Sequence, residues 1–557
     1  MYRKKTETKI IFIIISLFFI AFLFTPLLVL LSKSLNSDKG IGFSNYCFVT
    51  HNKEFLISIG NSIKISVITS FITTILAFIL AYGVNCTKMF SPLKNIIKIG
   101  ISIPMLLPTI TYGFAIIYSF GKEGLLTKLF GRELFKIYGF NGLLLGYVIY
   151  TLPSAFLLIN NSFEYIDKKF IIVSKLMGDN LFKNFINTIF RPLIGTFGGA
   201  FVLSFILSFT DFGIPASVGG TYRVISMQLY QVMLGSIPDF NSGAAIAMLM
   251  LLPAVFGVLL LNYLEKFNFS YDKFTKIELC KNKFRDIFFA LISVSVVVAL
   301  MLIFLVMFVA PFVKNYPYDM SFTSKLFKNT ILSGEILDVY ENSFLVAIIS
   351  AGFGTITCYS AAIVNTRSNM NKKVKITMDA FSMVTNTVPG MVLGLSYLML
   401  FNKSDLKGTF TIIIICNIMH FFTTPYLMAK NSLSKMNPTW ETTGELMGDN
   451  WIKTITRVII PNSIVTIVEM FGYYFINSMV TISAIIFLVT ARTSMLTSKI
   501  NELQYFQNFN GVFVLSILIF LTNICVKLGC DLLNKKIDIH KYKLKTKNIK
   551  RRRFYYE

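Results

Sequence analysis

Twelve mostly apolar stretches, each long enough to cross a lipid bilayer as a helix, divide this chain, and that pattern closes off most folds. They lie near 10–31, 58–84, 99–120, 141–160, 194–217 and 243–263, then near 287–313, 343–365, 378–401, 410–429, 463–490 and 509–533. In lipid a backbone has no water to bond, so each stretch must pair its own N–H and C=O groups. The expected class is an all-α polytopic membrane protein. The 557 residues are 54% hydrophobic and only 15% charged, against about 25% charged in an average globular chain. A disordered chain, a collagen-like repeat and an ordinary soluble enzyme are excluded.

The apolar run after MYRKKTETK is too long for a signal-peptide core and lacks a small-residue cleavage site, so it reads as a retained first helix. The net charge of +25 points to topology rather than to nucleic acid. With the N-terminus inside, 37 of the 53 Lys and Arg fall in inside segments, 15 fall outside, and Lys64 lies within a helix. The positive-inside rule then puts both termini in the cytoplasm of a cell (plasma or inner) membrane. The tail KYKLKTKNIKRRR either touches anionic headgroups or anchors the topology. Seven Cys without CxxC spacing and three His predict no metal, no cofactor and no disulfide framework.

The two halves repeat. Asn61-Ser62 recurs as Asn342-Ser343, and Pro108-x4-Gly113 recurs as Pro389-x4-Gly394 at the same offset. Asn161-Ser162 recurs as Asn431-Ser432, and Leu176-Met177-Gly178-Asp179-Asn180 as Leu446-Met447-Gly448-Asp449-Asn450, again at one shared offset. Four matches in one order at the same places in the helix count describe two six-helix units. Six is even, so the units run parallel and their loops share a face. The expected organisation is a first helix and outer loop (1–55), a first repeat (56–263), and a basic linker with the seventh helix and an outer loop (264–339). A second repeat (340–533) and a basic tail (534–557) follow.

The informative segments are the loops after the fourth and tenth helices, 164–192 and 437–461. EYIDKKFIIVSKLMGDNLFKNFINTIFRP and PTWETTGELMGDNWIKTITRVIIP each read as two short amphipathic helices broken at a central glycine. Gly178 and Gly448 can turn the chain there. Met177, Leu181, Met447 and Trp451 would form an apolar knob for a partner's groove. The plainer reading is an interfacial helix lying on the membrane.

These loops resemble the EAA loop of permease subunits in type I binding-protein-dependent ABC importers: Glu-Ala-Ala, three residues, Gly, nine residues, Ile, one residue, Leu-Pro. In the second loop Thr442-Thr443-Gly444 takes the Glu-Ala-Ala place behind Glu441, and Gly448, Val458, Ile460 and Pro461 keep the spacing. In the first, Ile172-Val173-Ser174 stands there, no acidic residue remains, and Pro192 comes one residue late. Two such loops on one chain resemble a fused permease. The resemblance implies that Leu176, Met177, Gly178, Asp179 and Asn180 in one loop, and Glu441 with Glu445, Leu446, Met447, Gly448, Asp449 and Asn450 in the other, couple to a dimer of cytoplasmic ABC ATPase subunits. It also implies an extracytoplasmic solute-binding protein as partner. No GxxxxGK[ST] loop occurs, so a separate subunit must hydrolyse the ATP. Thr210-Asp211-Phe212-Gly213-Ile214-Pro215 with Gly219-Gly220 and Tyr222, and the run from Ser478 to Leu488, are similar to the fused ferric-iron and 2-aminoethylphosphonate permeases. Thiamine and polyamine permeases are more distant.

Charge inside a bilayer is costly and marks function. Asp211 either lines the pathway or caps a broken segment that starts at Gly213. Glu469 faces a hydrated inner vestibule or pairs with a cation such as Lys453. His420 reads as a packing residue. The alternative class is a twelve-helix secondary transporter of the major-facilitator type. That family carries a basic Gly/Asp/Arg motif between its second and third helices, where this chain has VNCTKMFSPLKN.

Overall fold

The computed structural model describes residues 6–37, 40–163, 166, 169–264, 266 and 282–554, with side chains described through residue 539 except at 37, 171, 175, 181, 262 and 538. The basic residues 3–5, most of the 264–286 linker and the side chains of the basic tail, on which parts of the sequence reading rest, lie outside this set.

Among the described residues, nine helices are long and apolar enough to cross a membrane, and three further pairs of helices pass the same test together but bend by 53° to 109° at a short break. All twelve coincide with the apolar stretches. The nine are Thr6–Leu35, Lys53–Cys86, Phe140–Ser162, Phe182–Thr210, Phe240–Leu261, Lys283–Phe312, Gly334–Arg367, Trp451–Val480 and Phe509–Ile537.

The bends have a local cause. The third stretch breaks between Ser91–Leu106 and Thr109–Phe130 at 109°, and the ninth between Lys372–Thr387 and Gly390–Phe401 at 101°. A proline follows each break, and its ring drives the preceding residue out of the helical region. Leu107 before Pro108 sits at φ −119°, ψ 146°, and Val388 before Pro389 at φ −94°, ψ 113°. The fifth and eleventh stretches end earlier than their apolar runs. Asp211 and Thr481, at corresponding places in the two halves, both turn to extended backbone (ψ 140° and 136°). The chain then forms the short helix Gly213–Val218 in one half and a run of turns over 483–488 in the other.

These broken segments meet. A Cβ on Gly394 would come within 2.3 Å of the Ala484 carbonyl oxygen, and one on Gly113 would collide with Ser217. The repeated Pro-x4-Gly therefore marks where each half presses its bent helix against its short segment. The other repeated motifs fasten the same architecture. Ser62 Oγ accepts the Ile225 N–H at 2.8 Å and Ser343 Oγ the Leu496 N–H at 2.7 Å. Thr196 donates to Ser162 at 3.1 Å, and Thr466 to Ser432 at 2.9 Å.

Each half lends its leading helix to the other. Phe19 packs against Phe381 and Phe422 of the second half (centroids 5.7 and 4.8 Å), and Tyr397 donates to the Phe22 carbonyl at 2.5 Å. Reciprocally, Lys283–Phe312 lies on the first half, where Tyr82 meets Phe289 and Tyr112 meets Phe304. Polar contacts also join the two repeats, among them Thr111 to Ser516, Asn523 to the Leu106 carbonyl, and Gln504 to the Ala216 carbonyl.

Candidate site for coupling and translocation

Both repeated loops fold into the same turn. In the first, helix Lys169–Leu176 ends with the Met177 N–H on the Val173 carbonyl (2.9 Å) and the Asp179 N–H on Ser174 (3.1 Å). In the second, Thr439–Leu446 ends with Met447 on Thr443 (3.0 Å) and Asp449 on Gly444 (2.9 Å). This is a Schellman ending, which needs a left-handed residue in the middle. Gly178 (φ +81°) and Gly448 (φ +80°) supply it.

The turn projects two apolar side chains into the open. Leu176 and Met177 are 83% and 79% exposed, Leu446 and Met447 85% and 80%. Burial would recover about 25 cal/mol per Å² of apolar surface, so such tips are fit for a partner. Trp451 corrects the expected knob. It is buried, because it opens the helix that returns into the bundle. The Leu181 side chain is outside the described set.

The polar members of the motif hold the turn. Asn180 caps the next helix by accepting the Lys183 N–H at 2.8 Å. Asp179 lies 3.1 Å from Lys183 and accepts the Ser174 hydroxyl at 2.8 Å. These bonds, that from Ser174 first, hold its carboxyl below the usual carboxylate range. Asp449 pairs with Lys453 one turn on, so Lys453 is engaged at the loop and not at Glu469. Glu445 gives its carbonyl to the Gly448 N–H at 3.0 Å, and Asn450 gives its carbonyl to Thr454 at 3.0 Å.

Glu441 does something composition did not suggest. Its carboxylate meets the guanidinium of Arg367, at the end of helix Gly334–Arg367, with Nη2 donating to Oε2 at 3.0 Å and Nε 2.6 Å from Oε1. Arg367 also donates to the carbonyls of Met436 and Asn437. By sequence Arg367 is one more inside cation; only the meeting of a helix end with a loop far along the chain reveals it.

The proposed pathway residues part company. Asp211 accepts the Ile214 N–H at 2.9 Å and a bond from the Thr109 side chain, starting the short helix. Glu469 is exposed and lines an open cleft of about 440 Å³ with Asn431, Ser432, Lys435, Asn462 and Thr466. His420 stacks edge-on with Phe421 beside Gly390.

The family profile described as binding-protein-dependent transport system inner membrane component matches the chain twice, over 73–268 and 354–539. The chain belongs to this family. Each match contains one of the two loops. The permease is 25% identical over 466 residues to the ferric transport system permease protein FbpB of Actinobacillus pleuropneumoniae, across 79% of this chain and 66% of that protein. It is 25% identical over 455 residues to FbpB 1 of Haemophilus influenzae, across 78% and 70%. The thiamine transport system permease protein ThiP of the same organism is 28% identical over 225 residues, 39% of each chain. The permease thus spans about two thirds of the length of the two FbpB proteins. Family membership sets aside the major-facilitator alternative.

Proposed function

We propose that this chain is the membrane-spanning permease subunit of an ATP-driven importer, with two permease repeats on one polypeptide and ferric iron as cargo. The observation that carries the reading is the pair of matched glycine turns, one in each half, each offering an exposed Leu-Met tip. Such a pair suits two copies of one ATPase subunit. On this reading the loop face and both termini are cytoplasmic, and a binding protein delivers cargo to the face carrying the hairpins Asn36–Ser37 with Gly40–Ile41 and Val313–Asn315 with Asp319–Phe322. Ferric iron is favoured over 2-aminoethylphosphonate because the two FbpB proteins match across most of the chain.

The test is uptake of radiolabelled ferric iron and, separately, of labelled 2-aminoethylphosphonate, in cells with and without this chain, before and after ATP depletion. Loss of ATP-dependent iron uptake on deletion is the expected result. Loss of phosphonate uptake alone would change the cargo. Iron uptake that survives ATP depletion would overturn the importer reading.

A further inference from the structure

The two halves are alike in backbone and unlike in how they hold their loops. Helices Lys53–Cys86 and Gly334–Arg367 each contain 34 residues and correspond end to end, at the offset that relates Asn61 to Asn342. The last residue is Arg367 in one and Cys86 in the other. By the offset that relates Gly178 to Gly448, the Glu441 position is Ile171 in the first loop. Both members of the ion pair are therefore missing together from the first half.

Three further differences run the same way. The second loop carries both tryptophans of the chain, Trp440 and Trp451, and both pack into the core. Gly444 lies so close to Thr454 that a Cβ would come within 2.5 Å of its hydroxyl, so the two arms of that loop are pressed together. The first loop instead borders an open pocket of about 390 Å³ lined by Phe170, Val173, Ser174, Met177, Asp179 and Lys183. It meets its own half through ring contacts, Phe185 against Phe78 and Tyr82 at 6.0 and 6.2 Å. Behind the clamp the second half adds a polar network: Tyr426 and Lys430 both donate to Asp379 at 2.6 Å, and Asn365 donates to Tyr426 at 2.8 Å. The corresponding residues of the first half are Phe156, Asn160, Lys98 and Val84, which cannot make it.

We infer that Arg367 is a positioning residue for the second loop, and that an ATPase stroke reaches the membrane helices mainly through that loop. This rests on the importer reading above. The guanidinium side chain is 5% exposed and its carboxylate partner 13%, so solvent screens the pair little. One charge-assisted hydrogen bond, Nη2 to Oε2, with two more from the guanidinium to the Met436 and Asn437 carbonyls, fixes direction as well as distance. A push on Leu446 and Met447 is thus passed to helix Gly334–Arg367 without slack. The same push on Leu176 and Met177 meets a loop that lacks this clamp and borders an open pocket.

The experiment uses the full chain with its ATPase and binding protein in proteoliposomes, and reads radiolabelled ferric iron carried per ATP hydrolysed. Arg367→Gln and Glu441→Gln should each lower that ratio about tenfold while the ATPase still co-purifies. The double variant should lose no more than either single one, since the two residues act as one unit. Cys86→Ser, at the corresponding place in the first half, should change the ratio less than about twofold. A ratio unaffected by Arg367→Gln, or losses that multiply in the double variant, would overturn the clamp. Absence of ATP-dependent uptake in the unaltered protein would instead overturn the importer reading beneath it.

Discussion

Gly178 and Gly448 hold the same left-handed backbone, φ +81° and +80°, at the tips of two loops in opposite halves of the chain. Nothing lies within 4 Å of where a Cβ would stand at either position. The demand for glycine is therefore conformational, not spatial.

That distinction sets the first prediction. Gly448→Ala costs about 1–2 kcal/mol of backbone strain and should leave most uptake intact. Gly448→Pro cannot adopt the angle and also removes the N–H that bonds Glu445, so it should abolish ATP-dependent uptake while the protein still inserts. Gly178→Pro should do less, because the first loop is the looser of the two. Uptake assays on the three variants, with membrane fractions checked for the protein, give the ranking; equal loss from the two prolines would contradict it.

The pressed contact between the bent helices and the short segments gives a second. Gly394→Ala forces a methyl against the Ala484 carbonyl and should cost about 1–3 kcal/mol, visible as a lower melting midpoint in detergent. Gly352→Ala, in open space within helix Gly334–Arg367, should leave the midpoint unchanged or raise it.

Ser62 and Ser343 supply a third. Each is buried and accepts a backbone N–H that would otherwise have no bond, so replacing either by Ala should cost about 1–3 kcal/mol. The two sites lie in different halves, and their effects should add in the double variant. Thermal unfolding of the single and double variants measures this. A double loss well short of the sum would mean that the two latches are coupled.

Acid should loosen the first loop in a defined window. The Asp179 carboxyl is held below its ordinary value, so its contribution is complete above about pH 3.9 and is lost as pH falls through the depressed value. Ser174→Ala removes the first cause of the depression and should move the loss upward in pH. Protease cleavage at the loop, followed against pH in both forms, reads the shift. An unchanged profile would mean that Lys183 and Asn187 hold the charge without Ser174.

Much of this architecture was legible in the chain. Hydropathy placed all twelve stretches, and the four repeated motifs proved to be the turns, latches and close contacts common to both halves. What escaped has physical reasons. An apolar average carries no direction, so the bends at Pro108 and Pro389 were invisible in it, whereas Asp211 before Gly213 did offer the broken segment as one reading. An apolar stripe does not name its partner, so nothing marked Phe19 as belonging against Phe381 and Phe422. Arg367 looked like an ordinary inside cation and Glu441 like a coupling-loop acid, because their pairing lies in a contact between distant parts of the chain. Trp451 looked like a surface knob because it stands next to one.

The exchange of leading helices bears on how the protein is made. When Lys283–Phe312 leaves the ribosome, the surface it will lie on has already been synthesised. The first helix is in the opposite position: Phe19 emerges long before Phe381 and Phe422 exist. At about 5–20 residues per second, lipid or a membrane insertase must shelter that face for roughly 20–70 seconds. Ribosomes that stop within the linker would release a first half with Phe19 and Phe22 bare, a natural mark for a membrane quality-control protease.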